Sequence, residues 1–151
     1  TTEIYTLSLH DALPILGEMV ARLSKLPAEE FEADRKWFAV AVERDAESYD
    51  AVVAAYRIPK GTDGRAEAIL AAMKGATLVP LETAERAHAL SARLEELAGA
   101  CPSKVASDVV TARALVAAAR TGALSNVEIN LGGLTDEEFK AEVSARLAAI
   151  S

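Results

Sequence analysis

The sequence predicts an all-α protein, a bundle of about five helices, several of them long and antiparallel. Three observations carry that expectation. Apolar residues make up 51% of the 151 residues but aromatics only 5%, so most of the apolar content is Ala, Leu and Val, and the first two are strong helix formers. Apolar side chains recur at spacings of three and four over most of the chain, and no segment alternates with the period of two that a half-buried strand requires. Pro27, Pro59, Pro80, Pro102 and the pair Gly132-Gly133 cut the pattern at intervals suited to helices.

The elements follow in order. Residues 1–15 read TTEIYTLSLHDALPI and share neither the composition nor the periodicity of the remainder. They match the translation of a common sequencing-adapter oligonucleotide and are read as non-native, to be set aside from the fold. The native domain is expected over residues 16–151, without its first helix. From Leu16, the residues Met19, Val20, Leu23 and Leu26 share a helical face, the tail of a longer helix. Pro27 opens a second helix, where its missing N–H costs nothing, and Glu29, Glu30 and Glu32 suit the positive end of the helix dipole. It runs to about Arg57, because Pro59 drives the residue before it out of helical geometry. Residues 60–64 form the clearest loop. A third helix continues through Ile69, Leu70 and Met73 towards Leu97, with Pro80 either kinking one long helix or dividing two. After Gly99 and Pro102 a fourth helix runs from Ser103 to about Ala123, with a possible extension to Ile129, and Gly132-Gly133 ends it. Thr135-Asp136-Glu137-Glu138 reads as a capping box for the last helix, which places Phe139, Val143, Leu147 and Ile150 on one face.

Composition excludes several function classes. A formal charge of −7 and a pI near 4.9 leave no basic field for a phosphate backbone, so nucleic acid is not the expected partner. Cys101 is the single cysteine, too few for an internal disulfide or a cysteine-based metal site, and this suits a reducing compartment. The cytoplasm is the expected location. Charges interrupt every apolar stretch before it reaches transmembrane length, so no membrane span is expected.

One carboxylate stands out. On the second helix Phe31, Phe38, Val42, Asp45, Tyr49, Val52 and Tyr56 are spaced 7, 4, 3, 4, 3 and 4, while Glu32, Lys36, Glu43, Glu47 and Asp50 take another stripe. Asp45 is thus expected where a core residue belongs, and an unpaired buried carboxylate is costly. It must be protonated, paired, hydrogen-bonded or facing a pocket. The bland reading is a register-fixing hydrogen bond. Ser107 and Asp108 interrupt the fourth helix, and Asn126 and Asn130, four apart, share a face if that helix continues; capping and turn formation account for such residues equally well. His88 reads as a surface residue, Trp37 as core or dimer contact, and Cys101 has no obvious base.

Together these pieces resemble the formimidoyltetrahydrofolate cyclodeaminase and methenyltetrahydrofolate cyclohydrolase family. The resemblance rests on five segments in the family's order: residues 45–51 (DAESYDA), 55–60 (AYRIPK), 79–81 (VPL), 106–108 (ASD) and 126–131 (NVEINL). It implies an all-helical, dimer-forming, metal-free domain with a folate site near the subunit interface, no permanently bound cofactor, and a tetrahydrofolate derivative as substrate. It implies a catalytic role for Asp45 and offers Lys60, Ser107, Asp108, Asn126 and Asn130 as substrate-binding candidates. The family's usual glycine-rich entry to its first helix is replaced here by residues 1–15. Cyclodeamination is the expected activity, cyclohydrolase activity the alternative. A helical dimerisation module in which Asp45 only sets register, and an inactive fragment, are the competing expectations.

Overall fold

The helical spacing read from the sequence is realised throughout the computed structural model, which describes residues 14–150. Most of the segment read as foreign lies outside the described residues; its last two, Pro14 and Ile15, are helical. The first helix, α1, is seen over residues 14–23. It closes in a Schellman turn: Lys25 takes a left-handed φ of 58°, its N–H bonds the Arg22 carbonyl, and the Leu26 N–H reaches back to Ala21. That geometry turns Leu26 onto the core.

Helix α2 spans Glu29–Arg57, with Glu29, Glu30 and Glu32 in its first turn. Its C-terminus is fastened as well as broken. Beyond Ile58 and Pro59, Arg65 turns back and donates from Nε to the Ile58 carbonyl at 2.7 Å and from Nη2 to the Tyr56 carbonyl at 3.3 Å. A guanidinium there satisfies orphan carbonyls and complements the negative helix end. Gly64, at φ 79°, supplies the left-handed residue before Arg65.

Helix α3, Arg65–Ala100, is one continuous helix through Pro80. A short 3₁₀ turn, Ser103–Val105, leads into α4, Ala106–Gly132. The fourth helix therefore passes Ala123 and Ile129 and carries both Asn126 and Asn130. The last helix, α5, is Glu137–Ala148. Its cap is displaced by one residue from the expected box: Asp136, not Thr135, accepts from the Phe139 N–H at 2.9 Å. Asp136 also pairs with Lys74 of α3, so a second partner favours that register. The Lys74 hydrogen bond and then the Phe139 N–H hold the Asp136 carboxyl below the usual aspartate range.

Helix α3 is the axis of the bundle. The pairs Tyr56–Met73 and Arg44–Glu82 set α2 antiparallel to it, and Asn130–Ala76 with Arg113–Glu95 set α4 antiparallel. Lys74–Asp136 and Glu85–Arg146 make α5 parallel to α3. One core joins Val20, Phe31, Phe38, Leu90, Leu94, Val109 and Val116 from α1 to α4. A second, at the other end, joins Leu81, Val127, Leu134, Phe139 and Val143. Each fully buried Leu or Phe contributes about 2 kcal/mol through removal from water.

Candidate functional site

The structure corrects the expectation for Asp45. The first half of the apolar stripe is buried, with Phe31 and Phe38 in the core, but from Val42 onward the stripe is largely open: Tyr49 is 67% exposed, Tyr56 53%, and Asp45, one turn before Tyr49, is exposed with them. The reason lies in what covers the helix. The Phe31 end meets α1, whose Gly17 backbone lies against the Phe31 ring, and Leu94 of α3. No element of the described chain closes over the Asp45 end. The stripe is a face, and among the described residues its second half is covered only at its edge, where Tyr56 Oη reaches Met73 Sδ at 3.6 Å. The Asp45 side chain has no ion pair or hydrogen bond among the described residues; its backbone carbonyl accepts from Ser48 Oγ at 2.8 Å.

The acid that occupies the buried face is Asp34, which the sequence reading missed. It is 1% exposed, accepts from Arg86 Nε at 2.8 Å and pairs with Arg93. Arg86 also lies over the Trp37 ring, 5.2 Å from its centroid. The missing signal was available: the first step of the stripe, from Phe31 to Phe38, jumps seven residues, and Asp34 fills the helical position between them, three from one and four from the other. With both carboxylate oxygens engaged by guanidinium groups, Asp34 ties α2 to α3 and has little capacity left for chemistry. A groove of about 370 Å³ beside it is lined by Trp37, Glu82, Glu85 and Ala89 along with the Asp34 cluster. None of the expected site residues borders it.

The pairings between helices place the remaining candidates along α3. Arg44 meets Glu82, so the next residue, Asp45, stands level with Pro80 and Leu81. Asn130 meets Ala76, which sets the exposed Asn126, one turn earlier, at that same level on α4. Ser107 and Asp108 lie in the first turn of α4, level with the last turn of α3, roughly 27 Å from Asp45 at about 1.5 Å per residue. No side chain caps that helix, so the capping role open to Ser107 and Asp108 is not used; Ser107 instead accepts at its carbonyl from Thr111 Oγ1 at 3.0 Å. Lys60 is exposed in the α2–α3 loop at the opposite end. Within one chain the structure brings Asp45 and Asn126 to one level, with Asn130 one turn away, and leaves Lys60 and the Ser107–Asp108 pair at the two ends.

The bland readings resolve simply. Trp37 is half-buried and packs edge-on against Phe38, centroids 5.2 Å apart. His88 is exposed, and Cys101 is half-buried with its Sγ 3.8 Å from the Ala98 carbonyl. Among the described residues no three His, Cys, Asp or Glu side chains converge as a metal site, and no helix is long and apolar enough to cross a membrane.

This architecture and these residues have known counterparts. The crystal structure of formiminotetrahydrofolate cyclodeaminase from Thermotoga maritima superposes with a TM-score of 0.84 at 25% identity, covering 97% of this chain and 78% of that one. The formimidoyltransferase-cyclodeaminase of Sus scrofa is 35% identical over 113 residues, 72% of this chain, which spans 21% of that longer protein. The methenyltetrahydrofolate cyclohydrolase of Methylorubrum extorquens is 34% identical over 118 residues, 76% of this chain and 57% of the relative. The formiminotransferase-cyclodeaminase family model matches residues 16–149, so nearly the whole described chain conforms to its pattern, and the chain belongs to the formiminotransferase-cyclodeaminase family.

Proposed function

We propose that this chain closes 5-formimino-tetrahydrofolate to 5,10-methenyl-tetrahydrofolate with release of ammonia, in the cytoplasm, and that Asp45 handles the proton. The observation that supports this most is the likeness of helix order and packing over 97% of the chain to a protein named as a formiminotetrahydrofolate cyclodeaminase. In the reaction a neighbouring nitrogen attacks the carbon of the cationic formimino group, forming a C–N bond and a tetrahedral carbon. Asp45 accepts the proton of the attacking nitrogen and returns it to the amino nitrogen. That nitrogen leaves as ammonia when its C–N bond breaks, and the methenyl cation remains. A carboxylate beside that carbon also favours its positive charge.

The site is completed by a second copy of the chain. Asp45 lies on a face that the described residues leave open, in line with exposed Tyr49 and Tyr56, and a water-exposed carboxylate is a weak electrostatic catalyst. A second copy seated there would exclude water. It would also let a folate touched by Asn126 or Lys60 of one chain meet Ser107 and Asp108 of the other, which a single chain holds far apart. The folate enters and leaves as substrate and product.

The alternative is hydrolysis of the methenyl group, favoured by the Methylorubrum relative, with Asp45 as the base that delivers water. Incubation with 5-formimino-tetrahydrofolate distinguishes the two: cyclodeamination yields ammonia and the methenyl product in equal amounts. Consumption of methenyl-tetrahydrofolate without ammonia selects the hydrolase. Turnover of neither substrate removes both readings and leaves a helical interaction module, or an inactive fragment if a folate still binds.

A further inference from the structure

Helix α3 runs through Pro80 without a break, which leaves a specific gap. In an α-helix the N–H of residue 80 would bond the carbonyl of residue 76, and proline has no N–H to give. Ala76 is half-buried and Thr77, Val79, Pro80 and Leu81 around the gap are buried, so a carbonyl left without a donor there is costly. The two buried threonines on either side do not fill it. Thr77 Oγ1 donates to the Met73 carbonyl at 2.8 Å and Thr83 Oγ1 to the Val79 carbonyl at 2.9 Å, each turned back on its own helix one turn away. The donor to the Ala76 carbonyl comes from α4, where Asn130 Nδ2 lies 2.8 Å away.

We propose that Asn130 is a positioning residue: its side-chain amide takes the place of the N–H that Pro80 lacks, and so fixes the register of α4 against α3. The bond sets the height of Asn126, one turn along α4, against α3, on which the Arg44–Glu82 pair holds Asp45 level with Pro80. Asn130 therefore acts on the folate site through the helices and not by touching substrate. The activity arm of this inference rests on the proposed folate reaction; the stability arm does not.

The partner of the missing N–H defines the test. In Pro80→Ala the restored N–H supplies the Ala76 carbonyl, so Asn130 becomes dispensable. Unfolding midpoints are compared for the full chain, Asn130→Ala, Pro80→Ala and the double variant. Asn130→Ala is expected to lower the midpoint clearly with Pro80 present and by less than half as much in the Pro80→Ala background. Turnover is expected to fall at least tenfold in Asn130→Ala and to return in the double variant to within about threefold of Pro80→Ala. Equal midpoint losses in both backgrounds overturn the inference, and so does a double variant as inactive relative to Pro80→Ala as Asn130→Ala is to the starting chain. If the starting chain turns over no folate, the functional reading fails while the midpoints still decide the role of Asn130. Should Pro80→Ala not fold, side-chain amide exchange in the unaltered protein decides. One Asn130 Nδ2 proton shifted downfield and protected supports the bond; two fast-exchanging protons contradict it.

Discussion

The two halves of α2 carry the same stripe and the same kind of charge, yet they serve opposite ends. In the first half Asp34 is enclosed with Phe31 and Phe38 and paired with Arg86 and Arg93. In the second half Asp45 stands in line with Tyr49 and Tyr56 and has no side-chain partner among the described residues. An acid on an apolar stripe is thus not by itself a sign of chemistry. What distinguishes the two is whether the chain supplies cations to neutralise the carboxylate, since a buried carboxylate that is fully paired ties elements together while an open one remains free to act.

The contrast predicts different responses to substitution. The largest loss of stability is expected for Asp34→Ala, which removes the carboxylate shared by Arg86 and Arg93 and leaves Arg93 only its 3.5 Å pair with exposed Glu30. It should cost about 3 kcal/mol, at the lower end for a broken buried pair because Arg86 and Arg93 keep some solvent contact. Chemical denaturation measures it, and a loss below about 1 kcal/mol would make Asp34 an ordinary surface acid. Next come Tyr49→Asp and Tyr56→Asp together. They place charge on the open half and should shift sedimentation from the proposed dimer to monomer while the helical circular dichroism stays unchanged. An unaltered sedimentation coefficient would leave that face without a covering copy.

A smaller effect concerns the cap of α5. The Asp136 carboxyl has a folded value held below its ordinary one, chiefly by Lys74. A depressed carboxylate contributes stability above its unfolded value, near about 4, and loses it as pH falls through the still lower folded value. Asp136→Asn should therefore lower the unfolding midpoint at neutral pH and converge with the unaltered protein as the solution is acidified below that range. A constant gap at all pH values would show that the charge is irrelevant. The smallest effect on stability is expected at Asp45 itself: Asp45→Asn should change it by less than about 0.5 kcal/mol, as for a surface substitution that breaks no contact.

Much of this fold is legible in the sequence because the boundaries are set by residues with strong local preferences. Pro59 and Gly64 delimit the α2–α3 loop, and the Phe139–Val143–Leu147–Ile150 stripe identifies the buried side of α5. What is not legible depends on contacts between distant segments. The cap of α5 shifts to Asp136 because Lys74, far away in sequence, reaches it. Pro80 does not divide α3, and the carbonyl it leaves without a helical donor is met from α4 by Asn130. The stripe on α2 shows which face is apolar but not how far along it neighbours extend, and that extent is what separates Asp34 from Asp45. Ser107, Asp108, Asn126 and Asn130 are likewise on the helix that their spacing allows, but spacing says nothing of the distance from Asp45 to Ser107 and Asp108, which follows from the antiparallel packing of α2 and α4 on α3.

The central claim, that the open half of α2 carries the reaction, is tested most directly by the turnover of 5-formimino-tetrahydrofolate by Asp45→Asn beside the unaltered protein, with unfolding midpoints taken from the same samples. The expected result is a fall in turnover of about 10²–10⁴-fold, the range for removal of a general acid–base group, at an unchanged midpoint. Turnover within a few-fold of the unaltered protein, at the same midpoint, would contradict it.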